Sequence, residues 1–170
     1  MNSLPTFFLF SLLLSLKDVL SQPSEHSCKY FADTLPLQLR ELRVTFNEIK
    51  DYFVRTILPF LLFSLFLKGY LGCQSVSEMI QFYLEDVFSN VTTGNTIQQS
   101  VGFLKNMLLE LRQTIKRCHR YFICEKNNRT IKDIKETYKK MKQKGIYKAM
   151  GEFDIFVNYI EEYLITKMKN

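Results

Sequence analysis

Residues 97–118, IQQSVGFLKNMLLELRQTIKRC, carry the clearest structural pattern in the sequence. Its apolar residues recur at alternating spacings of four and three, namely Ile97, Val101, Leu104, Leu108, Leu111, Ile115 and Cys118. This spacing predicts an α-helix with one apolar face. A repeat of this kind also suits a coiled coil, but packing within a helix bundle produces the same stripe. In a globular chain of 170 residues we favour the bundle.

The segments before this helix show the same period. A first amphipathic helix is predicted from the stripe Leu35, Leu39, Leu42, Phe46, Ile49 and Phe53. Asp33 or Thr34 is expected to cap it, with Pro36 in its first turn. A third helix is predicted from the stripe Val76, Met79, Ile80, Tyr83 and Val87. Ser75 and Glu78 have the spacing of a capping box at its start.

Two more helices are predicted after residue 130. The stripe of the fifth is Ile131, Ile134, Tyr138 and Met141, and Gly145 is expected to end it. The last helix is predicted over residues 146–167 from Met150, Phe153, Val157, Ile160 and Leu164, widened by Phe156 and Tyr163. On a continuous helix, the carboxylates that fall off this stripe are Glu152, Asp154, Glu161 and Glu162.

Composition supports an all-α domain of about six helices. The chain has only six Gly and four Pro residues, whereas a β-sandwich needs a turn signal every 8–12 residues. The eleven residues 57–67 are apolar on every side. A run of that length is short of the roughly 20 residues that span a bilayer, so we expect a buried second helix there.

The N-terminus has the pattern of a signal peptide. Residues 4–16 are apolar apart from Ser and Thr, and Ser21 is a suitable residue before a cleavage site. We therefore assign residues 1–21 to the signal peptide and residues 22–170 to a secreted, extracellular domain; a buried N-terminal helix is the alternative. Removing one Lys and one Asp leaves the net charge at +6. This modest excess suits an acidic partner such as a sulfated glycan, although a solvated surface is the default.

Four cysteines, Cys28, Cys73, Cys118 and Cys124, lie in the predicted mature part. An even number behind a signal peptide indicates two disulfides. A Cys118–Cys124 bridge would close a very short loop, and a disulfide stabilises mainly by closing a long one. Either long-range crossed pairing meets that requirement. A zinc site is the rival interpretation, but the spacings fit no common zinc pattern. The sequons at Asn90 and Asn128 are compatible with secretion as a glycoprotein.

No catalytic motif for nucleophilic, metal-dependent or phosphate chemistry occurs in the sequence, so we predict neither an enzyme nor a cofactor. The fifth helix is rich in lysine, with Lys132, Lys135, Lys139, Lys140, Lys142 and Lys144. A heparin-like glycan could bind there, although a solvated face is the simpler interpretation. Nucleic acid is not expected, because aromatic residues do not alternate with these lysines.

Several runs resemble the interleukin-10 family. They are KGYLGCQ at 68–74, SEMIQFYLE at 77–85, RCHR at 117–120, KGIYKAM at 144–150, EFDIF at 152–156 and NYIE at 158–161. Leu35-Pro36 and LRELR at 39–43 resemble the first helix of the family. The resemblance extends over about residues 26–170.

The resemblance implies a six-helix cytokine that forms an intertwined, helix-exchanged homodimer, in which the last two helices pack into the other protomer. It implies the pairs Cys28–Cys118 and Cys73–Cys124. It also implies binding to a high-affinity receptor chain and a shared second chain, which activate Janus kinases and suppress inflammatory responses. A decoy that binds receptor without signalling, and a glycan-binding helical protein, are the alternatives.

By the same resemblance, the high-affinity receptor chain would contact residues of the first and last helices. These are Pro36, Leu39, Arg40, Arg43, Lys50, Lys148, Glu152, Asp154 and Glu161. We expect the charged members to lie outside the core, with Arg40, Arg43, Glu152 and Asp154 in one patch. The chain departs from the family pattern at Val44, Glu48 and Gly151, and residues 54–67 are shorter and more apolar than usual.

Overall fold

The computed structural model describes residues 25–54, 73–118 and 129–168. Within these ranges there are helices and connecting turns and no strand, which confirms the all-α prediction. The seven α-helices described are α1 (Glu25–Asn47), α2 (Lys50–Val54), α3 (Cys73–Phe82), α4 (Asn95–Arg117), α5 (Arg129–Met141), α6 (Gln143–Gly151) and α7 (Phe153–Met168). A π-helical turn, Tyr83–Val87, and a 3-10 turn, Phe88–Asn90, follow α3. The predicted signal peptide, residues 57–67 and Cys124 lie outside the described residues.

The apolar stripes predicted from the sequence face one common core. Every stripe residue of α1, α3, α4 and α7 named above is buried, except that Ile97 is partly buried. In this core α1 lies against α4 and α7, α2 lies against α6, and α5 lies against α3 and α6. None of the described helices has the length and apolar character that crossing a bilayer would need.

The first helix begins earlier than its cap residues suggested. It starts at Glu25, so Asp33 and Thr34 lie inside it and the N-cap prediction is wrong. The Thr34 hydroxyl donates to the carbonyls of Tyr30 and Phe31, at 3.0 and 3.2 Å, instead of capping an N–H. Pro36 lies in the helix interior, where it removes one backbone donor. Burial of the stripe on both sides of the proline keeps the helix continuous.

Two other expected helix ends also differ. Ser75 lies inside α3 and is buried, so it is not the N-cap. Gly145 does not end α5; that helix ends at Met141, and Lys142 makes the turn with a φ of 53°. A Cβ added to Gly145 would lie 2.8 Å from the carbonyl oxygen of Tyr138. Glycine is required there because α6 approaches α5 closely.

A cluster of aromatic rings fixes α7 beside α1. Phe46 of α1 lies 5.0 Å from Phe153 of α7, measured between ring centroids. Tyr83 stacks on Phe156 at 4.7 Å, and its hydroxyl donates to the carbonyl of Ala149 at 2.8 Å. Burial, together with the charges of Glu152 and Asp154, raises the pKa of the Tyr83 phenol well above its usual value. The neutral, hydrogen-bonded tyrosine therefore connects the middle of the chain to α6 and α7.

A disulfide joins Cys28 near the start of α1 to Cys118 at the end of α4. This confirms one of the two pairs that the resemblance implied. Because it joins the start of one helix to the end of the other, α1 and α4 run antiparallel. The second pair, Cys73–Cys124, stays a prediction because Cys124 lies outside the described residues.

Candidate functional site

Two ion pairs connect α1 and α2 to the last helix, α7, on one side of the molecule. The Arg43 guanidinium contacts the Glu161 carboxylate and also donates to Asn158 Oδ1 at 2.8 Å. Lys50, at the start of α2, contacts the carboxylate of Asp154. Lys50 follows Arg43 by seven residues, whereas its partner Asp154 precedes Glu161 by seven. The segment from α1 to α2 therefore runs antiparallel to α7 here. All four charged side chains keep between 29 and 39% of their surface exposed, so a partner can still reach them.

Pro36 and Arg40 extend this charged face along α1. They precede Arg43 by seven and three residues, which places all three on the same side of the helix. Both are exposed, and Arg40 has no hydrogen bond or ion pair to any described residue. We use the name charged face for Pro36, Arg40, Arg43, Lys50, Asp154, Asn158 and Glu161.

Leu39, which the resemblance assigned to the receptor surface, is fully buried in the core. It belongs to the apolar stripe of α1 and packs inward with Leu35 and Leu42. Its side chain therefore packs in the core beneath the charged face and is not exposed to a partner.

The expectation that Lys148 and Glu152 lie outside the core is wrong. Only 8 and 4% of these residues is exposed, and Lys148 Nζ lies 3.0 Å from Glu152 Oε1. The prediction assumed one continuous helix over residues 146–167, whereas the chain breaks between α6 and α7 at Glu152. Lys148 lies in α6 and Glu152 lies at the break, so the burial of neither follows the periodicity of one continuous helix. Arg40, Arg43 and Asp154 remain at the surface, and Glu152 leaves the predicted patch.

Asn158 is a member of the charged face that was missed. It is exposed, and its Oδ1 accepts a hydrogen bond from Arg43 Nη2, the same nitrogen that contacts the Glu161 carboxylate. Its signal was present in the sequence, because Asn158 lies four residues after Asp154 and three before Glu161. A neutral amide is a weaker sequence signal for a charged surface than a carboxylate is, but here the Asn158 amide orients the Arg43 guanidinium.

A second exposed surface lies on the outer side of α1 and α4. Tyr30, Leu37 and Val44 repeat every seven residues along α1, and their exposed fractions are 67, 56 and 55%. Phe103 of α4 is 53% exposed. The Ser100 hydroxyl donates to Glu48 Oε2 at 3.2 Å, which shows that the two helices are adjacent near Val44 and Phe103. We call these four residues the apolar face; only Val44 had been noted from the sequence.

The remaining predicted sites are the two sequons and the lysines of α5 and its C-terminal end, and all of them except Asn128 lie within the described residues. Asn90 is exposed at the end of the 3-10 turn, and Asn128 lies outside the described residues. Lys132, Lys139, Lys140, Lys142 and Lys144 are exposed, whereas Lys135 is partly buried and lies 3.9 Å from Asp86. Across the described ranges, no group of three or more His, Cys, Asp or Glu side chains is arranged to hold a metal ion.

Comparison with known proteins gives one consistent result. Residues 7–166 match the family model described as Interleukin 10. Interleukin-10 of Gallus gallus is 53% identical over 153 residues, which cover 85% of this chain and 87% of that protein. Interleukin-10 of Trichosurus vulpecula is 47% identical over 170 residues, covering 95 and 97%, and that of Cervus elaphus is 46% identical over 156 residues, covering 88 and 87%.

Proposed function

Because this chain belongs to the interleukin-10 family, we propose that it is a secreted cytokine that assembles cell-surface receptors, activates Janus kinases and suppresses inflammatory responses. The family is one of helical cytokines, so the chain is a cytokine and not an enzyme. The all-helical bundle and the Cys28–Cys118 disulfide agree with that membership.

The charged face is proposed to bind the high-affinity receptor chain. The observation that carries this assignment is the pairing of Arg43 with Glu161 and Lys50 with Asp154 across α1, α2 and α7. These partly exposed pairs present both signs of charge in fixed positions, and Arg40 adds an exposed guanidinium. Such an arrangement favours electrostatic complementarity, which selects a partner and speeds its association. Lys148 and Glu152 act indirectly in this proposal, by fixing the junction from which α7 starts.

The apolar face is proposed to bind the second receptor chain. Two receptor chains that act together need two separate surfaces, and this one shares no residue with the charged face and includes Phe103 of α4. Tyr30 and Phe103 are the kind of aromatic residues that are enriched at protein interfaces. Their large exposed fractions would otherwise leave apolar surface in water without an evident benefit.

The active form is proposed to be a helix-exchanged homodimer. Within one chain, α6 and α7 contact α1 and α2 through the core. Exchange of the last helices between two chains would keep the same contacts and make them intermolecular. Sedimentation of the mature protein at micromolar concentration should give the mass of a dimer. A monomer that keeps full activity would contradict the exchange.

The function is tested by applying the purified protein to cells that carry interleukin-10 receptors. We expect phosphorylation of the transcription factor downstream of the Janus kinases, without added heparin. Arg43→Ala and Asp154→Ala should each weaken receptor binding at least about tenfold, or ~1.4 kcal/mol. Lys139→Ala on α5 is the matched control and should bind normally.

The exposed lysines of α5 support a second candidate function, binding of a heparin-like glycan.

Binding to receptor without phosphorylation would indicate the decoy alternative. Loss of receptor binding in Lys139→Ala, with Arg43→Ala unaffected, would move the site to the basic helix and reject the charged face.

A further inference from the structure

Next to Asn90 there is a cleft that neither receptor surface uses. Its volume is about 600 Å³, within the usual range of roughly 300–1,000 Å³ for ligand sites. It lies between the turn at residues 90–93 and the junction of α5 with α6. Its lining includes Asn90, Thr92, Thr93, Tyr138, Lys142 and Tyr147.

We propose that an N-linked glycan on Asn90 occupies this cleft and stabilises the junction of α5 and α6. Asn90, Val91 and Thr92 form an acceptor sequon, and both Asn90 and Thr92 are exposed. The 3-10 turn ends at Asn90, and Val91 is extended, so the acceptor lies where a helix gives way to a loop. Passage through the secretory pathway, which the proposed function requires, would expose this sequon to glycosylation.

The geometry of the Asn90 side chain would fix where the glycan starts. Its Nδ2 donates to the carbonyl of Asp86 at 2.6 Å. Glycosylation joins Nδ2 to the anomeric carbon of an oligosaccharide carried on a lipid pyrophosphate; the amide loses one proton and the lipid pyrophosphate leaves. Nδ2 keeps its second N–H, which can preserve the bond to Asp86. The first sugar is thereby attached at the edge of the cleft.

The lining of the cleft suits a sugar chemically. Tyrosine rings such as Tyr147 pack against the C–H faces of sugars, and the lysine ammonium groups donate hydrogen bonds to hydroxyl and acetamido oxygens. The Thr93 hydroxyl lines the cleft, is buried, and has no hydrogen-bond partner among the described residues. A sugar hydroxyl would supply that partner, and unsatisfied buried polar groups are uncommon in folded proteins.

A glycan bound in the cleft would stabilise the strained corner at Lys142, where the chain turns from α5 into α6. Lys142 connects α5 to α6 with a φ of 53°, a conformation that costs energy for a residue other than glycine. The cleft includes Lys142 and the first residues of α6, so a bound glycan would hold this corner from outside. Because no residue of the charged face lines the cleft, this proposal can fail while the proposed function stands.

Hydrogen exchange on protein secreted from mammalian cells tests the proposal. Glycopeptide mass spectrometry should first find Asn90 occupied. Thr92→Ala removes the sequon and leaves Asn90, whereas the matched Thr92→Ser keeps the sequon. Amides of residues 138–147 should exchange about fivefold faster in Thr92→Ala than in Thr92→Ser, a ratio that corresponds to about 1 kcal/mol.

The same two variants, made in cells whose N-glycosylation is blocked, are the control and should exchange at equal rates. An unoccupied Asn90 in the secreted parent would overturn the proposal. Equal exchange rates in the glycosylated parent and Thr92→Ala would also overturn it, because the glycan would then be attached without occupying the cleft.

Discussion

At the scale of single residues, the direction of a charged side chain depends on where its helix ends. Lys148 and Glu152 lie four residues apart and form an ion pair in the interior, although a continuous helix would have placed Glu152 outside. The apolar stripe of α7 was predictable because it needs only periodicity. The burial of Glu152 was not, because it depends on how the core packs around the break that follows Gly151, which is a tertiary property.

This burial predicts a large difference between two carboxylate variants. Glu152→Ala should lower the free energy of unfolding by about 3–5 kcal/mol, because it removes the carboxylate that pairs with the buried Lys148 ammonium. Glu161→Ala breaks an ion pair that is about one-third exposed and should cost no more than about 1 kcal/mol. Urea unfolding of both variants measures the difference; equal costs would contradict the burial of the Lys148–Glu152 pair.

At the scale of elements, apolar periodicity predicted the helices and residue preference failed to predict their ends. Thr34, Ser75 and Gly145 are typical end residues, yet each lies inside a helix. Thr34 bonds backward to earlier carbonyls, Ser75 is buried, and Gly145 allows two helices to approach. Capping preferences are worth about 1 kcal/mol each, so burial of a whole apolar face outweighs them.

Two glycine substitutions test the close approach of α5 and α6. Gly145→Ala should destabilise the protein by about 1–3 kcal/mol, because its methyl group would overlap the Tyr138 carbonyl and ring. Gly102→Ala in α4 is the control, since its Cβ would have no atom within 4 Å. That change should stabilise the helix by about 0.5–1 kcal/mol. Thermal unfolding that ranks the two variants in the opposite order would disprove the packing role of Gly145.

At the scale of the whole molecule, the helices follow from apolar periodicity, whereas the disulfide pairing and the receptor residues do not. Helical periodicity alone predicted an α-helical bundle, and the stripes that it identified in the first, third, fourth and last helices form much of the described core. The Cys28–Cys118 pair and the receptor residues came from resemblance, because neither a crossed pairing nor a surface charge is determined by spacing. The positions of Arg43, Lys50, Asp154 and Glu161 in one face depend on how α1 and α7 meet, which is a tertiary property.

The disulfide predicts how firmly the two ends of this bundle are connected. Cys28 and Cys118 are 90 residues apart, so their bridge restricts a long loop in the unfolded chain. Replacing both by serine should lower the free energy of unfolding by about 2–5 kcal/mol. Denaturant unfolding measures this, and peptide mapping without reduction should find the second pair, Cys73–Cys124. A Cys118–Cys124 peptide would contradict both pairings.

Exchanging the charges of Arg43 and Glu161 tests whether the charged face binds the high-affinity receptor chain. The double variant Arg43→Glu with Glu161→Arg keeps an ion pair between α1 and α7, so its free energy of unfolding should stay within about 1 kcal/mol of the parent. Its affinity for the purified receptor chain, measured by surface plasmon resonance, should still fall at least about tenfold, because the charges offered to the receptor are reversed. A double variant that binds the receptor as tightly as the parent would show that the receptor chain binds elsewhere.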